Sequence, residues 1–185
     1  MGVQSSFGFT LGRMEKGRLN KITDVPGVRV GHVTRHEGGI NTGVTAILPH
    51  TGDIFHDKCP AASHVINGFG KSIGLVQVNE LGTIETPLLL TNTLSVGTAA
   101  TALVKYMLER NADIGCDTGT VNPMVFECND GHLNDIRGLH VTEQNALDAL
   151  ANAADDFEEG AVGAGSGMSC YSLKGGIGSA SRVFE

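Results

Sequence analysis

The sequence is poor in aromatic residues and in positive charge. It has no tryptophan, and its aromatic share is only 5% of 185 residues. The 13 lysines and arginines are outnumbered by 20 aspartates and glutamates, which gives a formal net charge of -7. Because no basic cluster offsets this balance, nucleic acid and anionic membrane surfaces are unsuitable partners. No apolar run approaches the roughly 20 residues needed to span a bilayer either.

Cysteine is also scarce and offers no paired motif. The four cysteines, Cys59, Cys116, Cys128 and Cys170, are widely spaced, and no C-x-x-C is present. This spacing excludes the usual dithiol redox motif and predicts buried free thiols in a reducing compartment. Residues 1–11 lack the basic segment and apolar core of a secretory signal peptide. We therefore expect a cytoplasmic protein.

Glycine, in contrast, is abundant. The chain has 26 glycines, about twice the usual share, and they are concentrated in residues 160–182 around a single lysine, Lys174. Folded proteins place glycine where backbones approach closely, where φ is positive, or where bare N–H groups face a ligand. Lys174 could donate to an oxyanion or a phosphate, act as a desolvated base, or form a structural ion pair, for example with Glu127.

Several motifs suggested by the glycine content fail on spacing. The run at 67–72 lacks the Walker glycine five positions before Gly70, where Val65 stands. Within the glycine-rich segment, G-x-S-x-G fails at every serine, and the dinucleotide fingerprint G-x-G-x-x-G is absent from the chain. The histidines stand in strand, loop or short-helix context without a nearby cysteine pair, so we expect no metal and no cofactor.

The hydrophobic pattern predicts short strands and two longer helices, with no internal repeat or linker. We therefore expect one domain over residues 1–185. Residues 181–185 resemble the start of a strand, which predicts that the chain is part of a longer polypeptide. The predicted strands are 28–33, 43–49, 87–91, 121–128 and 168–173, the predicted helices are 60–65, 95–111 and 142–157, and the predicted loops include 35–41.

Glu127 is the most informative carboxylate. It follows the apolar run Met124-Val125-Phe126 and precedes the polar turn at 129–135. A partly buried carboxylate at a strand end suits the binding of a substrate ammonium group. A carboxylate satisfied by the N–H groups of the adjacent turn is the alternative, and the spacing alone does not separate the two.

Six short motifs stand out in order along the chain. They are ITDVPGVRVGH at 22–32, GVTAI at 43–47, LTNTLSVG at 90–97, ECNDG at 127–131 with LNDI at 133–136, GAGSGM at 163–168 and KGGIGSASR at 174–182. Together they resemble the DmpA-type aminopeptidases, which include L-aminopeptidase/D-amidase/D-esterases, β-peptidyl aminopeptidases and nylon-oligomer hydrolase relatives. The resemblance runs from about Lys21 to the last residue.

The resemblance implies an α+β fold, a four-layer αββα sandwich similar to ornithine acetyltransferase and to N-terminal-nucleophile hydrolases. It also implies a precursor that cleaves itself before a serine or threonine. This residue becomes the new N-terminus, attacks the carbonyl of an amide or ester, and forms an acyl-enzyme. The implied partners are a small peptide or amide substrate, the C-terminal (β) chain of the same precursor, and further copies in a homo-oligomer. The nucleophile is expected beyond residue 185, so this chain is expected to be the inactive N-terminal (α-chain) part.

The resemblance also implies roles for five residues. Glu127 matches the acidic residue that holds the substrate amino group in β-peptidyl relatives, and Lys174 matches the lysine near the nucleophile in the nylon-hydrolase relative. His132 falls where some members have a catalytic tyrosine, and Asn134 and Asn92 are expected as polar lining. Two other functions are compatible with the sequence: an ornithine-acetyltransferase-like acyltransferase, which shares fold and self-cleavage, and a non-catalytic binding or assembly domain.

Overall fold

The computed structural model describes residues 12–184, which form a mixed sheet, two short strand pairs and three α-helices. The strands are β1 (Arg29–Glu37), β2 (Ile40–Leu48), β3 (Cys59–Pro60), β4 (Thr83–Ile84), β5 (Leu88–Asn92), β6 (Met124–Cys128), β7 (Ser169–Cys170) and β8 (Leu173–Lys174), and the helices are α1 (Leu75–Leu81), α2 (Val96–Arg110) and α3 (Glu143–Ala151).

The main sheet has the strand order β1-β2-β5-β6. Strands β1, β2 and β5 are antiparallel neighbours, whereas β5 and β6 are parallel, with Asn92 opposite Cys128 at their ends. A parallel pair needs a crossover, and helix α2 lies in the segment that supplies it. Strands β3 and β4 form one short antiparallel pair, and β7 and β8 form another.

A two-residue turn joins β1 to β2, since Glu37 pairs with Ile40. Gly38 has a φ of 57°, which the tight hairpin turns require and which glycine adopts without strain. The prediction of a loop over 35–41 was therefore wrong, because the polar residues there lie at the hairpin ends of β1 and β2, where these strands are partly open to solvent.

Helices α2 and α3 cover one face of the sheet. Their small residues allow a close approach, and Gly31 on β1 is required there because a Cβ would lie 2.2 Å from the carbonyl oxygen of Ala149 on α3. The core of this layer includes Val44, Ala46, Leu89, Val125, Ala99, Ala102, Leu103, Ala146 and Ala149, all buried. The alternating residues of β2 thus point Val44 and Ala46 toward the helices.

The glycine-rich segment lies against the opposite face. The N–H of Ala164 donates to Thr45 Oγ1 on β2 at 3.1 Å. Gly163 adopts a φ of 52°, and a Cβ there would lie 2.4 Å from the same hydroxyl oxygen. This part of the segment is therefore built for close backbone packing on the sheet.

Two of the predicted helices differ from the structure. Residues 61–65 are not helical, because Cys59–Pro60 pairs with β4 as an edge strand, where proline is tolerated. Helix α3 ends at Ala151 rather than at Phe157. The chain then turns back onto β1, where Ala154 and Val30 exchange two backbone hydrogen bonds of 3.0 Å. This pairing removes residues 152–157 from the helix.

The predicted strand 168–173 is a hairpin instead, with Tyr171 and Ser172 both at positive φ in its turn. Residues 181–184 form no strand, although the Val183 N–H donates to the Glu15 carbonyl at 2.9 Å. Helix α1 was not predicted from the sequence. No helix within residues 12–184 has both the length and the apolar character needed to cross a bilayer. Residues 1–11, on which the signal-peptide prediction rests, lie outside the described residues.

Candidate functional site

The candidate site lies where the parallel strands β5 and β6 end. The carboxyl ends of parallel strands meet at the same edge of a sheet, which places Glu127 beside the turn that follows Asn92. Glu127 is half-buried, and each carboxylate oxygen already accepts one hydrogen bond. Oε1 accepts the Lys71 N–H at 3.1 Å, and Oε2 accepts the Thr93 hydroxyl. The carboxylate is therefore held in one orientation by neutral donors.

Glu127 opens onto a cavity of about 310 Å³. Its wall is mostly apolar, and the glycine-rich segment closes one side. The other lining side chains include Leu90, Phe126, Cys128, Met168, Ser169, Cys170 and Ile177. A carboxylate at the edge of an apolar cavity is suited to hold a cationic group whose attached side chain is apolar.

Lys174 and His132 line a second cavity of about 290 Å³, together with Ser169. Because Ser169 also lines the cavity of Glu127, the two cavities adjoin at this serine. The Ser169 Oγ atom is buried and has no hydrogen-bond partner among residues 12–184. Lys174 also lines a third cavity, of about 520 Å³, with Ser166.

Lys174 is not paired with Glu127. Its Nζ donates to the carbonyl oxygens of Gly165 at 3.1 Å and of Gly175 at 2.5 Å. An ammonium group carries three donors, so one hydrogen remains for another acceptor. The glycine-rich segment thus holds the cation with neutral carbonyl groups and leaves its charge uncompensated by any carboxylate among the described residues.

Asn92 is buried and hydrogen-bonded through both ends of its amide. Its Oδ1 accepts the Ser95 N–H at 3.0 Å, which caps the turn before α2. Its Nδ2 donates to Thr42 Oγ1 at 2.9 Å, and that hydroxyl donates to Asp130 Oδ2 at 2.6 Å. Asn92 therefore ties the end of β5 to β2 and to the loop after β6.

Asn134 belongs to the same network. Its Nδ2 donates to Asp130 Oδ1 at 3.0 Å, and its Oδ1 accepts the Asn41 N–H at 3.0 Å. Asp130 is 1% exposed and is the centre of the network. Neither Asn92 nor Asn134 lines the three cavities described above, so their role as polar lining stays a prediction.

The structure adds Thr93, Asp130 and Ser169 to the residues named from the sequence. Thr93 and Asp130 lie inside two of the six motifs, which was the available signal. A further sequence match surrounds Ser72, because Gly70–Gly74 fits the pattern G-x-S-x-G of a nucleophile elbow. Ser72 lies in an irregular segment rather than at a turn between a strand and a helix, so this match is not a nucleophile elbow.

The prediction of buried thiols was wrong for Cys116, Cys128 and Cys170, which are exposed. Partial desolvation nevertheless raises the pKa of the Cys128 thiol, and the neighbouring Glu127 carboxylate raises it further. The thiol is therefore protonated at neutral pH, which argues against Cys128 as a nucleophile.

Burial lowers the pKa of His32, whose ring nitrogens contact Thr45 Oγ1 at 2.9 Å and the Glu158 carbonyl at 3.1 Å. No group of three or more histidines, cysteines and acidic residues within 12–184 could hold a metal ion.

The α+β arrangement of this chain, with helices on one face of the sheet and the glycine-rich segment on the other, is shared with aminopeptidases of the N-terminal-nucleophile hydrolase fold. One solved relative, the L-aminopeptidase D-Ala-esterase/amidase of Ochrobactrum anthropi, is described as a variant of that fold. It superposes with a TM-score of 0.79 at 36% identity, over 89% of this chain and 48% of its own.

The chain belongs to peptidase family S58, whose family model matches residues 20–185. The β-peptidyl aminopeptidase BapA of Sphingosinicella microcystinivorans is 41% identical over 179 residues, which cover 91% of this chain and 44% of BapA. The PH0078 protein of Pyrococcus horikoshii OT3 superposes with a TM-score of 0.96 at 55% identity, over 100% of this chain and 55% of its own. The family and the α+β sandwich predicted from the six motifs are thus confirmed. The chain spans about half the length of these relatives.

Proposed function

We propose that this chain supplies half of the active site of a self-processing N-terminal-nucleophile aminopeptidase or amidase, which removes the N-terminal residue from short peptides, amides or esters. The observation that carries the proposal is the position of Glu127. Its carboxylate lies at the end of β6, held by Lys71 and Thr93, and faces an apolar cavity that adjoins the cavity of Lys174 and His132. Two of the relatives, a β-peptidyl aminopeptidase and an L-aminopeptidase, support the same reaction class.

Glu127 binds the substrate ammonium group in this proposal. Each carboxylate oxygen uses one lone pair for the Lys71 N–H or the Thr93 hydroxyl and has another free for an ammonium hydrogen. Because both present donors are neutral, the negative charge is available to the substrate. The apolar wall that includes Phe126 and Met168 then accommodates the side chain of the terminal residue.

The nucleophile comes from the half of the family's length that this chain does not span. Self-cleavage before a serine or threonine exposes an α-amine, which accepts the proton of the hydroxyl as that oxygen attacks the scissile carbonyl. A proton passes to the leaving amine as the scissile C–N bond breaks, and water then hydrolyses the acyl-enzyme. The third ammonium hydrogen of Lys174 stabilises the developing oxyanion or the nucleophile oxygen, and His132 acts as a proton donor in the same cavity.

The proposal includes two protein partners, the C-terminal chain of the same precursor and further copies in a homo-oligomer. It also includes a cytoplasmic location, which is supported by the four cysteines, all of them free. Cleavage to two chains is a chemical event that leaves a mass signature, so self-processing can be tested separately from catalysis.

The test uses protein expressed from the complete coding sequence. We expect intact mass spectrometry to show two chains, and we expect hydrolysis of β-amino-acid or α-amino-acid p-nitroanilides. The isosteric variant Glu127→Gln is expected to lose about 2–4 kcal/mol of ammonium binding, or about 30- to 1000-fold in kcat/KM. The Thr93 hydroxyl can turn to accept from the new amide, so the geometry is preserved.

Glu80→Gln is the matched control, because it removes the same charge from an exposed position on α1. A single unprocessed mass together with no p-nitroanilide hydrolysis would contradict the proposal. Wild-type kcat/KM in Glu127→Gln would remove the ammonium-binding role alone. Acetyl transfer to an amino-acid acceptor that outpaces hydrolysis would identify an acyltransferase instead.

A further inference from the structure

A fourth cavity, of about 330 Å³, lies at the other end of the main sheet. It is formed where β1 begins, where β2 ends, and where helix α2 ends. In the register of the sheet, Arg29 pairs with Leu48 at this end, whereas Asn92 and Cys128 pair at the opposite end. The five residues of β5 separate the two ends by roughly 15 Å, so this cavity is distinct from the candidate site.

Arg29 is the first residue of β1 and lines this cavity. It shares a strand face with Gly31, which contacts α3, so its side chain points into the layer between sheet and helices. The Nε atom of Arg29 is buried and has no hydrogen-bond partner among residues 12–184. A buried guanidinium nitrogen without an acceptor is costly, and a bound oxyanion would satisfy it.

Arg110 brings a second positive charge to the cavity. It is the last residue of α2, and its guanidinium carbon lies 3.5 Å from the centre of the Tyr106 ring. Its Nη1 donates to the Tyr106 carbonyl at 3.1 Å. The stacking and this hydrogen bond fix the orientation of the guanidinium, while its remaining N–H groups are left for another acceptor.

Asp53 supplies the acidic side chain that lines this cavity. Asp53 is paired with His56, whose Nδ1 lies 2.8 Å from Asp53 Oδ2. Hydrogen bonds between the His56 ring and the carboxylates of Asp53 and Asp113 raise the pKa of His56, which favours its charged form and partly offsets these carboxylates. The end of α2 contributes about half a negative charge. The Nδ1 atom of His50 accepts the Gly52 N–H at 3.0 Å. The two arginines therefore outnumber the acidic residues that line the cavity among residues 12–184.

The rest of the wall is part polar and part apolar, and its apolar part includes Leu48, Pro49, Ile54, Pro87 and Met107. We propose that this cavity binds a small organic carboxylate, whose oxygens accept hydrogen bonds from Arg29 and Arg110 while its short aliphatic part contacts the apolar wall. The volume lies within the range of small-molecule sites. A free phosphate would satisfy the arginines but would leave the apolar wall without a partner.

The test measures thermal unfolding of the 185-residue chain in butyrate, n-butylamine and inorganic phosphate at matched ionic strength. At a butyrate concentration ten times Kd, Tm is expected to rise by about 3–6 °C, because binding to the native state alone stabilises it. n-Butylamine is expected to produce no rise. Arg29→Gln is expected to weaken butyrate binding by at least about tenfold, since hydrogen bonds to charged groups are the stronger kind.

Arg110→Gln serves as a second variant, since Arg110 is exposed and its replacement leaves the sheet untouched even where Arg29→Gln fails to fold. It is also expected to weaken binding. Arg137→Gln is the matched control, since it removes the same charge from an exposed turn and should keep the wild-type shift. The proposal is overturned by the absence of a butyrate shift, by equal shifts in Arg110→Gln and wild type, or by a phosphate shift as large as that of butyrate.

Discussion

Replacing Asp130 with asparagine is expected to destabilise the chain by about 3 kcal/mol. The carboxylate is 1% exposed and accepts the Thr42 hydroxyl at 2.6 Å and the Asn134 amide at 3.0 Å. Asparagine keeps the shape but offers only one oxygen, so one of the two donors then faces an NH₂ group. The Thr42 hydroxyl cannot resolve this by turning, because its own hydrogen would then lose its acceptor. A hydrogen bond to a charged group contributes about 1.5–3 kcal/mol, and an orphaned buried donor costs about 1–3 kcal/mol.

The assay is thermal unfolding followed by circular dichroism. For a chain of this size, about 3 kcal/mol corresponds to a fall in Tm of roughly 6–12 °C. Asp155→Asn removes the same charge at an exposed position and is expected to stay within about 0.5 kcal/mol of wild type. If Asp130→Asn and Asp155→Asn unfold at the same temperature, the buried network does not stabilise the fold.

A double-mutant cycle with Thr42→Val then isolates the hydrogen bond itself. Valine removes the hydroxyl donor of Thr42. Asp130→Asn should therefore lower the free energy of unfolding by less in the Thr42→Val background than in the wild type. The coupling energy between the two positions is expected to be about 0.5–3 kcal/mol. Strictly additive losses would mean that Thr42 and Asp130 do not act through their shared hydrogen bond.

Two further predictions concern packing and pH. Gly163→Ala should lower the free energy of unfolding in urea by about 1–3 kcal/mol more than Gly38→Ala does. Both glycines have positive φ, but only at Gly163 would the added Cβ lie 2.4 Å from the Thr45 hydroxyl oxygen. Equal losses in the two variants would leave backbone strain as the only effect. Hydrogen bonds to two carboxylates raise the pKa of His56, so its stabilising contribution is fully present below its unfolded pKa of about 6.5 and is lost as pH rises through the folded pKa. His56→Gln should flatten this part of the stability profile, and an unchanged profile would exclude His56 as its source.

The sequence predicted best those elements whose local pattern and tertiary environment agree. Strands β5 and β6 are apolar runs that are largely buried, and helix α2 has apolar residues at helical spacing on the face that packs against the sheet. Helix α1 was missed because its Val76 and Leu81 are largely exposed, so the apolar residues do not mark a buried face. The flanking glycines Gly74 and Gly82, both at positive φ, were the usable signal.

The candidate site was predictable only where a motif could be matched. Glu127 follows the apolar residues Met124-Val125-Phe126 of β6, and its position near the end of that strand agrees with the sequence pattern. For Asn92 and Asn134, an asparagine at a strand end or in a polar turn suits a cavity wall and a buried network equally well. The two possibilities differ in whether Thr42 lies beside Asp130, 88 residues further along, which no local pattern records. Long-range proximity of this kind requires the tertiary structure.

The separation of Glu127 and Lys174 restricts the kind of molecule that fits between them. Opposite charges on neighbouring segments would ordinarily form an ion pair, and the sequence left that possibility open. Instead Glu127 is held by a backbone N–H and a hydroxyl, and Lys174 by two carbonyl oxygens, so neither charge neutralises the other. Their cavities adjoin at Ser169. A molecule with an ammonium group at one end and a carbonyl that develops negative charge at the other would complement both ends at once. An amide or ester of an amino acid has this distribution of charge during attack on its carbonyl, whereas a simple cation or anion would match only one end.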